Sequence, residues 1–499
     1  MRIPLATRAI SLQDKRSADN RVSGSVLPAG FFRVHQHFPA SVSTRRRLIR
    51  CGAIGGLAAL QPHSGPALLG LQGLLAADNS PANHNRTAKS CIFIYQYGGL
   101  SQLDSWDPKP NGPSEIRGPY KPIATRTPGF HVGELMPSLA AISDRYCVIR
   151  SLSHSVPVHN VANEMLLAGS SKPARNAPSM GAIVTKLRPS STVMPSHVWL
   201  QKFGGGAAPA EPAWLSGGSL GLQYAPLLVG ERHDDNPGTP GYQVPLFQAP
   251  SDLALPRLES RWKLLQQLQQ PQTGHASLSD LQERAFTLLH SPKARIAFDV
   301  EQESAVMRER YGRHPFGQNL LLARRLIEAG VRLVNVVAWM GLAPNDKFVS
   351  VETWDMHGNA GIGIFDNGWN GLGWALPRAD ASVAALITDL EDRGLLDSTL
   401  VVLVGEFGRT PRISRGASAI GRDHWSQCYS GMLAGAGIPG GLVYGASDDT
   451  AAYVRERPVS PEDFSATILA ALGIDPATRL SPDGFTQPAS TGQPLPFVV

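Results

Sequence analysis

Cysteine is scarce: the 499 residues hold four, and no two stand in a C-x-x-C spacing. That argues against a thiolate metal site and against a disulfide-stapled framework. Cys51 falls in an uncharged leader-like stretch. Cys91, Cys147 and Cys428 remain, each in or beside an apolar run, as buried small hydrophobes are. A Cys91–Cys147 bridge is compatible with the sequence but cannot be deduced from it. Charge is also sparse, at 17% of residues, and the net +6 misleads. Residues 1–50 hold 10 Lys or Arg against 2 Asp or Glu, so the rest of the chain carries −2. A slightly acidic body offers no electrostatic footprint for nucleic acid. Beyond residue 77 no run is long and apolar enough to span a bilayer. No fixed repeat period is visible.

The basic start reads as an address. Thr44-Arg45-Arg46-Arg47-Leu48-Ile49-Arg50 closely resembles a twin-arginine export signal, and residues 51–77 carry no charge. Leu-Leu-Ala-Ala before Asp78 offers small residues for cleavage. The expectation is a signal region at 1–77, the twin-arginine export machinery as a partner, and a periplasmic or secreted body at 78–499. No transmembrane segment is expected after signal removal.

With 50 Gly and 40 Pro, the body is rich in loops. Apolar runs at 91–95, 146–149, 331–337, 400–404 and 428–434 read as strands. Helical patterns at 135–143, 160–168, 256–290, 294–311, 317–329, 378–393 and 461–472 alternate with them. Gly169 is a natural stop, and Ser460 opens the last helix. Periodicity is weak from 186 to 255, which reads as a Gly/Pro-rich insertion or cap. Alternating strands and helices predict an α/β fold with a mostly parallel sheet.

The densest chemistry follows the run Leu400–Val404: Gly405, then Glu406, Arg409, Arg412, Arg422, Asp423 and His424. Ligands gather beyond the carboxyl ends of buried parallel strands. Loops after other strands add Asp104 and Asp107, His154 and His159, and Asp355 and His357. Imidazole with carboxylate and no thiolate suits zinc, with manganese, iron or calcium as alternatives. Each piece has a plainer reading. A D-x-H pair is often a loop hydrogen-bond pair, Asp104 and Asp107 can cap their own loop, and either arginine can be an ordinary ion pair. For His154 a structural role is expected.

GGLSQLDSWDPKP (98–110), WDMHGN (354–359), LVVLVGEFGRTP (400–411), GRDHW (421–425), LAGAGIPGG (433–441) and VSPEDFSATILAALGID (459–475) occur in order. Together they resemble the family called domain of unknown function 1501, across roughly 88–475. That family is grouped with alkaline phosphatases and sulfatases. The resemblance implies an α/β/α sandwich, alkaline phosphatase-like, with metal ions at the strand ends. It implies Asp355, His357, Glu406 and His424 as candidate metal ligands, with Asp104 or Asp107 substituting for the aspartate that ends the superfamily's first strand, and Asp423 joins the candidates from its place beside His424. Phe407 stands where the superfamily has a second-metal histidine, which it cannot replace. The superfamily nucleophile lies ten residues before a glycine that Gly169 matches, and His159 stands there. The usual Ser, Thr or Cys is therefore missing, and so is the C-x-P-x-R sulfatase signature.

The function expected from these residues is an exported metal-dependent hydrolase of phosphate or sulfate esters, small-molecule or glycan. A metal-activated water, or His159 itself, would replace the nucleophile. His159 or Glu406 would take the proton, and Arg409 and Arg422 would grip the oxyanion. The alternative is a non-catalytic binding or assembly protein of the cell envelope.

Overall fold

The structure is a computed structural model. It describes residues 87–201, 217–230, 235–247, 255–268, 276–341, 354–358, 363–365, 371–415, 420–481 and 487–498. The twin-arginine-type stretch, the uncharged run 51–77 and Cys51 lie outside the described residues.

Eight strands form the central sheet. They are β1 (Ser90–Tyr95), β2 (Tyr146–Leu152), β3 (His197–Leu200), β4 (Leu227–Val229), β5 (Leu333–Val337), β6 (Thr399–Val404), β7 (Tyr429–Ala434) and β8 (Val443–Tyr444). Their order is β8-β2-β7-β6-β1-β5-β3-β4. Only β7 runs against its neighbours in this sheet. Every residue of β1, β5 and β6 is buried, which explains why these strands read as continuous apolar runs and not as alternating patterns. In the parallel register Tyr95 pairs with Val337 on one side and Val404 on the other. Three adjacent strands therefore end level, and their exit loops open on one edge.

Helices cover both faces, giving an α/β/α sandwich. On one face lie α1 (His159–Ala168), α2 (Met180–Leu187) and, packed on them, α5 (Pro461–Ala471). On the other, α3 (Pro315–Glu328) packs on β5 and β1, and α4 (Gly371–Asp392) packs on α3. Gly169 ends α1 in the left-handed conformation. Ser460 and Asp463 form a reciprocal capping box at the start of α5.

Two elements differ from the sequence reading. The stretch 186–255 supplies β3 and β4, an edge of the main sheet. Strands of four and three residues are too short to show a period. Helix α4 begins at Gly371, earlier than position 378, with Pro377 inside it. Buried Leu372, Ala375 and Leu376 offset the one backbone bond that the proline forgoes. Cys91, Cys147 and Cys428 are buried and free, so no Cys91–Cys147 bridge forms. No helix among the described residues is long and apolar enough to cross a membrane.

Candidate metal centre

Loops leaving β1, β2, β5 and β6 converge at the carboxyl edge of the sheet. After β1 the chain turns at Gly98, φ 109°. A Cβ there would collide with the Trp354–Asp355 backbone, so glycine lets the segment 354–358 lie against the turn. The Gly98 N–H donates to Glu406 Oε1 at 2.9 Å. Beyond β6, Gly408–Arg409 pairs antiparallel with His424–Trp425, which sets His424 opposite Arg409. Gly421 passes so close to the His357 backbone that no side chain would fit, and the Arg422 N–H donates to the Met356 carbonyl at 3.2 Å.

This folding brings together His159, Asp355, His357 and His424, whose ligand atoms all lie within 4.8 Å of one another. Asp355 Oδ1 is central. It stands 2.9 Å from His357 Nε2, 3.0 Å from His424 Nε2 and 3.4 Å from His159 Nε2. The Nε2 atoms of His357 and His424 are 2.8 Å apart.

Behind each ring, Nδ1 faces a group that can only accept. Glu406 Oε1 is 2.6 Å from His159, Asp423 Oδ1 is 3.0 Å from His357, and the Pro157 carbonyl is 3.0 Å from His424. Each acceptor holds the ring proton on Nδ1 and turns the Nε2 lone pair inward. Lone pairs crowd this closely only around protons or a cation. Four donors on one ion, at bonds of roughly 2.0–2.1 Å, stand about 3.3 Å apart, so the four residues fit such an ion. His159 Nε2, buried and without a hydrogen-bond partner, points the same way.

Without a cation, protons take its part. Burial opposes charge on His159, but the neighbouring carboxylates of Asp355 and Glu406 outweigh it and raise the imidazole to about 9. Burial likewise opposes charge on Asp355, yet His159, His357, His424 and Arg409 hold it well below the usual carboxylate range. His424 is lowered by burial, with Arg409 and His159 adding to the effect.

Other expected site residues lie elsewhere. Glu406 does not enter the four-residue group: it is fully buried behind His159. Asp104 is bound instead by Arg422, Nε to Oδ2 at 2.8 Å, both side chains being fully buried. Arg422 also donates to the carbonyls of Ile116, Thr410 and Pro411. Arg409 donates to the carbonyls of Gly98, Gly99, Trp354 and Arg422, and through Nη2 to Asp355 Oδ1 at 2.7 Å. The structure thus contradicts an oxyanion grip by these two guanidiniums, because carbonyls and carboxylates already occupy their donors. Asp423 lies behind His357, half exposed to solvent. His154 braces the loop, its Nε2 donating to the Glu406 carbonyl at 2.6 Å. Two features carried no sequence signal. One is the Pro157 carbonyl behind His424, and the other is the Arg409–Asp355 pair.

Fold and site define an α/β protein whose strand-end loops assemble three histidines and one aspartate into a group suited to a divalent ion. The chain belongs to the family described as Protein of unknown function (DUF1501), which it matches over residues 88–488. No curated protein matches it in sequence. Similar solved structures include an alkaline phosphatase from the Antarctic bacterium TAB5, at 14% identity and TM-score 0.35, covering 78% of this chain and 99% of that one. A phosphonate monoester hydrolase from Silicibacter pomeroyi is 12% identical with TM-score 0.33, covering 81% and 75%. A sulfatase from Pseudoalteromonas sp. is 13% identical with TM-score 0.31, covering 82% and 70%.

Proposed function

We propose that the protein is an exported, metal-dependent hydrolase of phosphate or sulfate esters, with the ion held by His159, Asp355, His357 and His424. The observation that carries this reading is the convergence of three Nε2 atoms on Asp355 Oδ1, each ring fixed from behind by an acceptor. Zinc is the first candidate for this donor set, and manganese the second. Once bound, such an ion supplies Lewis acidity and lowers the pKa of water. The protein's own part is to aim the ligands and shape the approach. Glu406, Asp423 and the Pro157 carbonyl orient the imidazoles. Phe407 packs its ring 4.9 Å from that of His159 and 4.5 Å from that of His424, which keeps water off that side. Val158 and Val161, both exposed, flank His159 in sequence, where an ester would approach. In this arrangement His159 serves as a ligand and not as a nucleophile. Export rests on the twin-arginine-type stretch at 44–50.

A second reading has its own support. His159 stands where the resemblance expects the nucleophile, and Arg409 and Arg422 are spent on carbonyls and carboxylates, so a binding protein that keeps an ion for structure also accounts for the site. Metal analysis of purified protein beside a His424→Ala variant, followed by a screen of phosphate and sulfate esters, separates the two. Metal lost in the variant together with ester turnover supports the hydrolase. Bound metal with no turnover of any ester selects the binding protein, and a metal-free, folded wild type overturns both.

A further inference from the structure

Resting on that metal reading, we infer that the centre is mononuclear: it takes one divalent ion, with the Arg409 guanidinium as a built-in second cation and Phe407 as a wall against another ion. A two-metal site needs a second set of donors around a point about 3.5–4 Å from the first ion. Among the described residues no second group of three or more His, Cys, Asp or Glu side chains is gathered for an ion. Asp104 is held in a buried pair by Arg422. Glu406 spends Oε1 on the Gly98 N–H and on His159 Nδ1, which fixes the carboxylate behind the ligand ring, and its unpartnered Oε2 is a single oxygen and not a second set of donors. Asp423 lies on the far side of the His357 ring.

One side of the group is covered by Phe407, which is 1% exposed. Its ring lies against the imidazoles of His159 and His424 and against Gly99 on its other side. A Cβ on Gly99 would come 2.8 Å from Phe407 Cδ2. The wall is thus seated on a glycine, and no donor atom faces the ligands from it.

Charge supports the same count. Asp355, Glu406 and Asp423 bring three carboxylates to the group, and Arg409 brings one fixed positive charge. With neutral imidazoles that leaves two negative charges, which one divalent ion balances and two would overshoot. Asp355, which faces the three imidazoles, would help hold the ion, and Arg409 Nη2, 2.7 Å from its Oδ1, would supply the fixed positive charge beside it.

Manganese tests this directly. Full-length protein is stripped, reloaded with excess manganese(II), desalted and measured for metal per chain, with electron paramagnetic resonance on the same sample. The expected result is one equivalent and an uncoupled manganese signal. Phe407→Leu keeps the apolar wall and should stay at one, whereas Phe407→Asp opens it, adds a carboxylate and should rise above one. Two equivalents with a coupled signal in the wild type would overturn the inference while leaving the metal reading intact. No bound metal would remove that reading and the inference with it. A folded Phe407→Asp variant that stays at one equivalent would overturn the role of Phe407. If that variant does not fold, the wild-type count and signal still decide.

Discussion

His159 and His197 are both buried, at 6% and 2% exposure, yet they are poised in opposite directions. His197 lies inside the sheet on β3. Its Nε2 donates to Asn335 Oδ1 at 2.7 Å, and Nδ1 has no hydrogen-bond partner. Phe93, Leu167, Met180 and Trp199 share its surroundings, and Gly181 leaves room for the ring. Burial pushes this imidazole down to about 4, against a small lift from Asn335. At His159 burial acts in the same sense, but two carboxylates reverse it and the ring rises to about 9. Burial alone therefore does not distinguish a site, and neither does an unpartnered nitrogen, since both histidines have one. The distinguishing feature is convergence. His159 shares its focus with two other imidazoles and a carboxylate, whereas His197 faces an amide and hydrocarbon.

The most disruptive way to break the contrast is Asp355→Ala. It removes the focus of the three rings and strips Arg409 of its one carboxylate partner among the described residues. Leaving a buried charge unpaired costs about 3–5 kcal/mol, and bound metal should fall to background. Urea unfolding and metal analysis read both effects. A loss below about 1 kcal/mol, the range of an exposed pair, would show that Asp355 does not anchor the group.

Chelation should separate the two histidines without mutation. An ion present at a thousandfold its dissociation constant stabilises the folded state by about 4 kcal/mol. Adding a chelator should lower the melting temperature of wild type and of His197→Gln alike, and leave His424→Ala unchanged. A response that persists in His424→Ala would place the ion elsewhere.

Acid sharpens the other half of the comparison. His197 has its folded value lowered to about 4 from an ordinary value near 6.5. The unfolded chain therefore takes up a proton that the folded chain refuses. The stability at stake is fully present above about pH 6.5 and is lost as pH falls toward 4, amounting to about 3 kcal/mol at roughly 1.36 kcal/mol per pH unit. Chelated protein is the right sample, because it keeps metal release out of the measurement. His197→Gln should flatten the slope between pH 6.5 and 4 relative to chelated wild type. An unchanged slope would assign the acid sensitivity to other groups, such as His314, which burial also lowers to about 4.

Much of this scaffold was legible in the sequence. Runs such as Cys91–Tyr95 and Leu400–Val404 are apolar on both faces because both faces are covered, and polar residues resume where the cover ends. Asp355, His357 and His424 stood out for that reason. The partition among carboxylates did not. Asp104 and Asp355 both follow apolar strands, but only the fold, across 318 positions, delivers Arg422 to Asp104. Glu406 follows its strand directly and points behind the ring it supports, whereas His159, at a helix start with no metal spacing around it, points into the group. The strands at 197–200 and 227–229 escaped notice because such short strands get their order from neighbours and not from their own pattern.

The finest test concerns Glu406 and separates an orienting carboxylate from a ligand. Its Oε1 accepts the Gly98 N–H and meets His159 Nδ1, while Oε2 is buried and unpartnered. Glu406→Gln preserves shape and can still offer a carbonyl oxygen to His159, but it removes the negative charge that makes the ring a stronger donor. Changes of this kind behind a metal-bound histidine cost about 10–100-fold in affinity, or about 1.4–2.8 kcal/mol. Titration of the apo variant with zinc should show weaker binding at an unchanged stoichiometry. A lost equivalent would mean that Glu406 coordinates the ion itself. Unchanged affinity would mean that Gly98 and the packing around α1 already hold His159 in place, so that its orientation comes from the fold and its charge partner is dispensable.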